Sequence, residues 1–248
     1  MTGLRYVYAV CRPFGAALQA QLTGVAGDPP RMLTHRGLVA VVSHVPERDF
    51  AEAALRAHRE DLDWLTGTAR VHQGVIDALT AVTTPLPLRL ATVFRDDSGV
   101  RVMMEAREDG FRRTLDRLQG RVEWGVKVYA ETGPSETDGP TDKAEAYASG
   151  LHAMLSSYAE DSRLRAPQDS VLSGVPGRNV LDAAYLVPRG GSEEFVELVG
   201  RTKDDEPGMN VELSGPWAAY SFVEDVEDVN ADDGVHAVDD VGMNSRSY

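Results

Sequence analysis

The sequence predicts an α+β chain of two domains, the second a modified ferredoxin-like βαβ–βαβ fold with a helical insert. Three observations carry this. Apolar, β-rich runs at 4–10, 38–42, Arg121–Ala130 and 180–187 are separated by stretches whose apolar residues recur at three- and four-residue steps. Pro85 and Pro87 forbid continuation of the longest helical stretch and divide the chain into 1–83 and 84–223. The last run, 209–222, reads as a strand kinked by Gly215 and Pro216, because strands tolerate proline only at edges and bulges.

The elements follow in order. After the strand at 4–10 (LRYVYAV) come a short candidate at Arg31–His35 and the run 38–42 (LVAVV). Ala51, Leu55, His58, Leu62 and Leu65 line one helix face; Asp49 is placed to cap it, with Glu52 three residues on completing a capping box. Gly67 is read as a break, after which His72, Val75, Ile76, Leu79 and Val82 repeat the spacing. Residues 86–94 (LPLRLATVF) read as one strand, Phe111, Leu115 and Leu118 mark a helix face, and Arg121–Ala130 alternates as a strand. A Gly/Pro/Ser/Thr-rich linker at 132–141 leads to a helix carrying Leu151, Met154, Leu155 and Tyr158, the core of an insert at about 140–176. A strand at 180–187, a helix at 193–199 and the kinked strand complete the order. With the insert set aside this is βαβ followed by βαβ, an antiparallel sheet with helices on one face. The tail, 224–248, has high charge and no period, which predicts disorder.

Composition narrows the function. The 248 residues are 42% hydrophobic and 26% charged, as in ordinary globular proteins. Net charge is −14, and half of it lies in the tail, where eight acids face Arg246 alone among lysines and arginines. A body that remains at −7 is a poor partner for phosphate backbones, so nucleic acid binding is not expected. No stretch approaches the roughly 18 apolar residues of a membrane span. The strand-like start and the lone Cys11, which can form no internal disulfide, predict a cytoplasmic protein.

The search for chemistry finds no constellation. The six histidines show no H-x-x-x-H pair or metal-ligand spacing. His58 and His72 fall on apolar helix faces, as hydrogen-bonded boundary residues do, and His152 is read as opening a helix, exposed. Ser173-Gly174 and Ser214-Gly215 lack the flanks of a nucleophile elbow, and Cys11 reads as an inert strand-end residue. No Walker or dinucleotide glycine motif occurs. The Gly/Arg turns at 174–178 and 189–191 offer an alternative function, a ferredoxin-like regulatory domain binding a small anion. Glu123 and Lys127, four apart in a strand, share a face and read as a surface pair. Glu105, Glu108 and Asp109, and likewise Asp204, Asp205 and Glu206, read as solvated faces. No catalytic residue, metal or cofactor is therefore expected.

Three stretches together resemble the gas vesicle protein GvpL/GvpF family. They are Tyr6-Val7-Tyr8 with 38–43 (LVAVVS), 87–94 (PLRLATVF) with 122–129 (VEWGVKVY), and 179–187 (NVLDAAYLV) with 213–222 (LSGPWAAYSF). The likeness covers about residues 4–223. The chain departs from the family in carrying Leu90-Ala91 where Phe-Gly is usual and Ala218-Ala219 where Pro-Pro is usual. The resemblance implies a non-enzymatic accessory protein of gas vesicle assembly, cytoplasmic and vesicle-associated. Its implied partners are the hydrophobic major shell protein and other accessory proteins.

Such a role needs apolar or amphipathic contact surface rather than a catalytic group. Unassembled shell subunits expose surface that aggregates at about 25 cal/mol per Å² buried. The candidate interface or family-signature residues are Arg89, Thr92, Phe94, Trp124, Lys127, Trp217, Tyr220 and Phe222. Aromatic rings on a kinked strand suit anchoring, although the same rings serve equally to pack beneath a sheet.

Overall fold

The computed structural model describes residues 3–15, 22–131, 142–166, 177–202 and 206–223. Its contacts divide the described chain into two units, 3–119 together with Val223, and Gly120–Phe222. The expected boundary at 83/84 is thereby displaced to 119/120.

The first unit is built on β1 (Gly3–Cys11), β2 (Arg31–His35), β3 (Leu38–Pro46), β4 (Leu86–Pro87) and β5 (Val93–Phe94). The sheet runs β2-β3-β1-β4, with β5 also pairing β1, and every pairing is antiparallel. Residues 84–119 belong here because both short strands hydrogen-bond to β1 and α4 (Asp97–Ala106) packs on the same sheet. The single strand expected at 86–94 is two, interrupted at Ala91 (φ 59°).

Both faces of this sheet are covered. On one, Val7, Val10, Ala40 and Val42 pack with Val100, Met103 and Met104 of α4 and with Phe111 and Leu115 of α5 (Glu108–Leu118). On the other, Tyr6 and Tyr8 meet Phe50 of α1 (Glu47–Phe50) and His72 of α3 (Leu62–Val82). Between these helices lies α2 (Glu52–His58). The helix expected from Ala51 to Leu65 is broken after His58, and Asp61 rather than Asp49 provides the cap, its carboxylate accepting from Trp64 N–H at 3.0 Å. Gly67 does not interrupt α3. It is exposed, and the buried stripe Leu65, Thr68, His72, Val75, Ile76 and Leu79 outweighs the roughly 1 kcal/mol that a mid-helix glycine costs.

The second unit runs β6 (Arg121–Ala130), α6 (Asp142–Tyr158), β7 (Asp161–Leu164), β8 (Arg178–Pro188), α7 (Ser192–Thr202) and β9 (Met209–Trp217). Its sheet order is β7-β8-β6-β9, antiparallel throughout. α6 is therefore the first crossover helix of the sheet, not an insert, and β7 is a strand that the sequence reading missed. Val122, Trp124, Val126 and Val128 of β6 and Leu181, Ala183, Tyr185 and Val187 of β8 form one core with Leu151 and Leu155 of α6 and Phe195 and Val199 of α7. Both helices thus lie on one face. The linker 132–141, the 167–176 part of the expected insert and the acidic tail lie outside the described residues.

The kinked strand is an edge strand with a bulge. Glu123 pairs with Trp217 and Gly125 with Ser214, so two residues of β9 stand opposite Trp124. Gly215 has φ 133°, and a Cβ there would lie 2.8 Å from the Trp124 ring and 2.9 Å from the Glu123 carbonyl oxygen. Gly215→Ala is expected to cost about 2 kcal/mol of stability, measured by denaturant unfolding, through overpacking and an unfavourable backbone angle. An unchanged midpoint would mean that the bulge is not held this tightly.

Candidate functional site

Alternation along β6 places Glu123, Lys127 and Tyr129 opposite the residues that enter the helical core. Their cross-strand partners Leu186, Asp182 and Asn179 on β8 share that face, as do Trp217, Glu212 and Asn210 on β9. One face of the second sheet is apolar and helix-covered; the other carries the charged residues.

Those charges are arranged as a network. Arg165, just past β7, donates from Nη2 to Glu123 Oε1 at 2.6 Å and to Ser221 Oγ at 2.5 Å. Ser221 returns its hydroxyl proton to Glu123 Oε1 at 3.0 Å and its backbone N–H to Oε2 at 2.8 Å. Arg165 Nη1 lies 3.5 Å from Asp182 Oδ1, and Lys127 Nζ lies 3.6 Å from Asp182 Oδ2. The side chains of Glu123 and Asp182 are fully buried, so two carboxylates are matched by two cations where unpaired charge would be untenable. The surface pair expected of Glu123 and Lys127 is corrected: they do share a face, but Glu123 is interior.

The network seats the segment that follows β9. Beyond Trp217, residues Tyr220–Phe222 make a single 3₁₀ turn. Phe222 is buried, with the Arg163 guanidinium 5.6 Å from its ring centroid. Ala218 and Ala219 are buried as well.

The eight signature residues therefore separate by burial. Phe94, Thr92, Trp124 and Phe222 are interior. Phe94 joins the core beneath α4, and Thr92 closes a tight turn by donating its hydroxyl to Arg89 O at 2.7 Å. Trp124 donates from Nε1 to Ser192 Oγ at 3.3 Å, its ring 6.4 Å from that of Phe195. Arg89 is exposed on its turn in the first unit, and Lys127, Trp217 and Tyr220 are half-buried in the second. Sequence reasoning missed Arg165, Asp182 and Ser221. The available signal was an isolated acid within each apolar strand, Glu123 in RVEWGVKVYA and Asp182 in RNVLDAAYLVP.

The remaining candidates are structural. Burial pushes the Cys11 thiol up to about 12, which leaves it unreactive. His152 lies within α6 rather than opening it, half-buried with Nδ1 2.9 Å from the Tyr185 hydroxyl. Glu105 and Glu108 pair with Arg36, and Arg112 holds the Glu108 carboxyl below its usual range. Of the two Gly/Arg turns, 189–191 is a 3₁₀ turn tied by Arg189 N–H to Gly120 O at 2.8 Å, and most of 174–178 lies outside the described residues. Among the described residues, no group of three or more His, Cys, Asp or Glu side chains is disposed to hold a metal ion. Nor is any described helix long and apolar enough to cross a membrane.

This is a two-unit α+β chain whose buried carboxylates Glu123 and Asp182 are ion-paired and three of whose five signature rings are interior. Its fold matches two solved structures: gas vesicle protein GvpF from Anabaena sp. PCC7120 (TM-score 0.70, 16% identity, 90% of this chain and 96% of that one) and GvpF from Microcystis aeruginosa (TM-score 0.69, 16% identity, 90% and 100%). The chain is 52% identical to gas vesicle protein L of Streptomyces sp. (strain CB03234), over 88% of this chain and 92% of that protein. It is 26% identical to gas vesicle protein F of the same strain, over 88% and 99%. The family model for gas vesicle synthesis protein GvpL/GvpF matches residues 4–140 and 138–224, and the chain belongs to that family.

Proposed function

We propose that this protein is a non-enzymatic assembly factor for gas vesicles that binds the hydrophobic major shell protein during nucleation or early assembly. The observation that supports this reading most is the family match across both units, from residue 4 to residue 224. The twofold higher identity to a protein L than to the protein F of one strain favours an L-type member. The strand order of the second unit, β-α-β-β-α-β with strands arranged 2-3-1-4, supports a ferredoxin-like domain. We place the protein in the cytoplasm, associated with the vesicle and with other accessory proteins.

Burial supports a choice among the candidate contact residues. Rings that are already interior cannot add contact area, so Trp217 and Tyr220 on the second unit and Arg89 on the first are the proposed contacts. Co-expression with the tagged shell subunit, followed by pull-down, is expected to recover the protein. Trp217→Ala combined with Tyr220→Ala is expected to weaken capture about tenfold or more. Absence of any association, together with normal vesicles after deletion of the gene, would reject the function itself; full capture by the double variant would reject only the surface.

A further inference from the structure

The first unit holds a buried titratable group that the proposed function leaves unused. His72 on α3 is 4% exposed and sits against β1, its ring centroid 5.7 Å from that of Tyr6 and 5.5 Å from that of Tyr8. Its Nδ1 lies 2.9 Å from the Tyr6 hydroxyl, which also accepts the Ala91 N–H at 3.1 Å. The hydroxyl and Nδ1 share one hydrogen bond, which leaves Nε2 as the other ring nitrogen. That Nε2 is buried without a hydrogen-bond partner. Two hydrogen bonds through the Tyr6 hydroxyl thus join α3, β1 and the turn at Ala91.

Among the described residues, no acidic side chain pairs with His72. From β1 the facing titratable groups are the phenols of Tyr6 and Tyr8. Ser43 of β3 accepts from the Tyr8 hydroxyl at 3.0 Å, and Phe50 of α1 packs edge-on to Tyr6 at 5.9 Å. From the 25–28 turn, Val25 N–H binds the Tyr8 oxygen, and the exposed Asp28 acts on Tyr8, whose phenol burial raises. On α3 itself the neighbouring face is Thr68, Val75 and Ile76, while Asp77 is exposed and bonded to Gln73.

We infer that His72 is an acid-operated latch: its buried ring, with Nε2 unpartnered, admits a proton only once α3 has moved off β1, so acid opens the first unit before the second. Burial lowers the imidazole from its ordinary 6.5 to about 4. Above pH 6.5 both closed and open forms are neutral at His72, and the latch is fully engaged. As pH falls from 6.5 towards 4 the open form binds the proton that the closed form excludes, so opening is progressively favoured; below 4 the effect levels off. Two such values predict an opening constant raised about 30-fold at pH 5 relative to pH 8. The second unit has no equivalent among its described residues, since His152 is half-buried.

Amide hydrogen exchange of the intact protein, with labelling times scaled to the intrinsic rate at each pH, tests this. Between pH 8 and pH 5, protection in α3 and β1 is expected to fall about 30-fold, with β6 and β8 unchanged. His72→Gln, which accepts a hydrogen bond but does not titrate here, is expected to abolish that fall. Equal loss in both units, no loss in α3, or a pH response that survives the substitution would overturn the latch. A direct titration of the histidine ring by NMR in the unmodified protein decides the matter even if the variant does not fold. His72 is expected to stay neutral at pH 5, and protonation near 6.5 in the folded protein would sink the inference.

Discussion

Glu123→Ala is expected to destabilise the second unit by about 3–5 kcal/mol, the usual cost of breaking a buried ion pair from one side. The carboxylate is fully buried and receives three hydrogen bonds, from Arg165 Nη2, Ser221 Oγ and Ser221 N–H. Its removal leaves a largely buried guanidinium balanced only by the more distant Asp182, which already faces Lys127. A backbone N–H is left without an acceptor, at a further cost of about 1–3 kcal/mol within that total. Glu123→Gln is expected to fall between the unsubstituted protein and Glu123→Ala, because it keeps an acceptor but leaves the network with one excess positive charge. The double variant Glu123→Ala, Arg165→Ala is expected to cost less than the sum of its singles, since each removes the reason to need the other. Denaturant unfolding in a Trp64→Phe background, where emission reports Trp124 and Trp217, measures this. A loss below about 1 kcal/mol for Glu123→Ala would show that the network does not hold the unit together.

Phe222→Ala is the second large effect, expected at about 3–5 kcal/mol, as for other fully buried aromatics. The ring is 1% exposed and lies at the end of the segment that Ser221 fastens to Glu123. The informative comparison is with Trp217→Ala and Tyr220→Ala. Those rings are half-buried, so their truncation is expected to cost less stability and more partner capture. Thermal unfolding and pull-down on the same three variants separate the roles. If Phe222→Ala alone lost capture at unchanged stability, the interior ring would be the contact and the assignment by burial would be reversed.

Much of the architecture was legible from local pattern. The strands β1, β3, β6 and β8 are apolar β-branched runs, and α5 and α7 announce themselves by spacing. Less legible were elements whose identity depends on distant partners. β7 is four residues, DSRL, with no alternation, and exists because Glu160 and Arg165 donate their N–H groups to β8. β4 and β5 look like one strand until β1 pairs with each and the chain turns at Ala91 between them. Ala91 there holds a left-handed angle that glycine adopts at least cost. The domain boundary was misplaced for the same reason: prolines mark where a helix must stop, and only strand pairing shows which sheet the following residues join.

By itself, the chain's order of residues determined its class. It indicated an α+β chain and carried the ordered signatures that the family match then bore out. Those are properties of local chemistry and of linear pattern, which survive without coordinates. Tertiary structure alone decided the roles of the charged and aromatic signature residues. Glu123 looks like half of a surface pair with Lys127 in sequence, and is interior because Ser221, 98 positions away, folds back onto the carboxylate. Burial is set by what arrives from elsewhere in the chain, and no window of neighbouring residues contains that information.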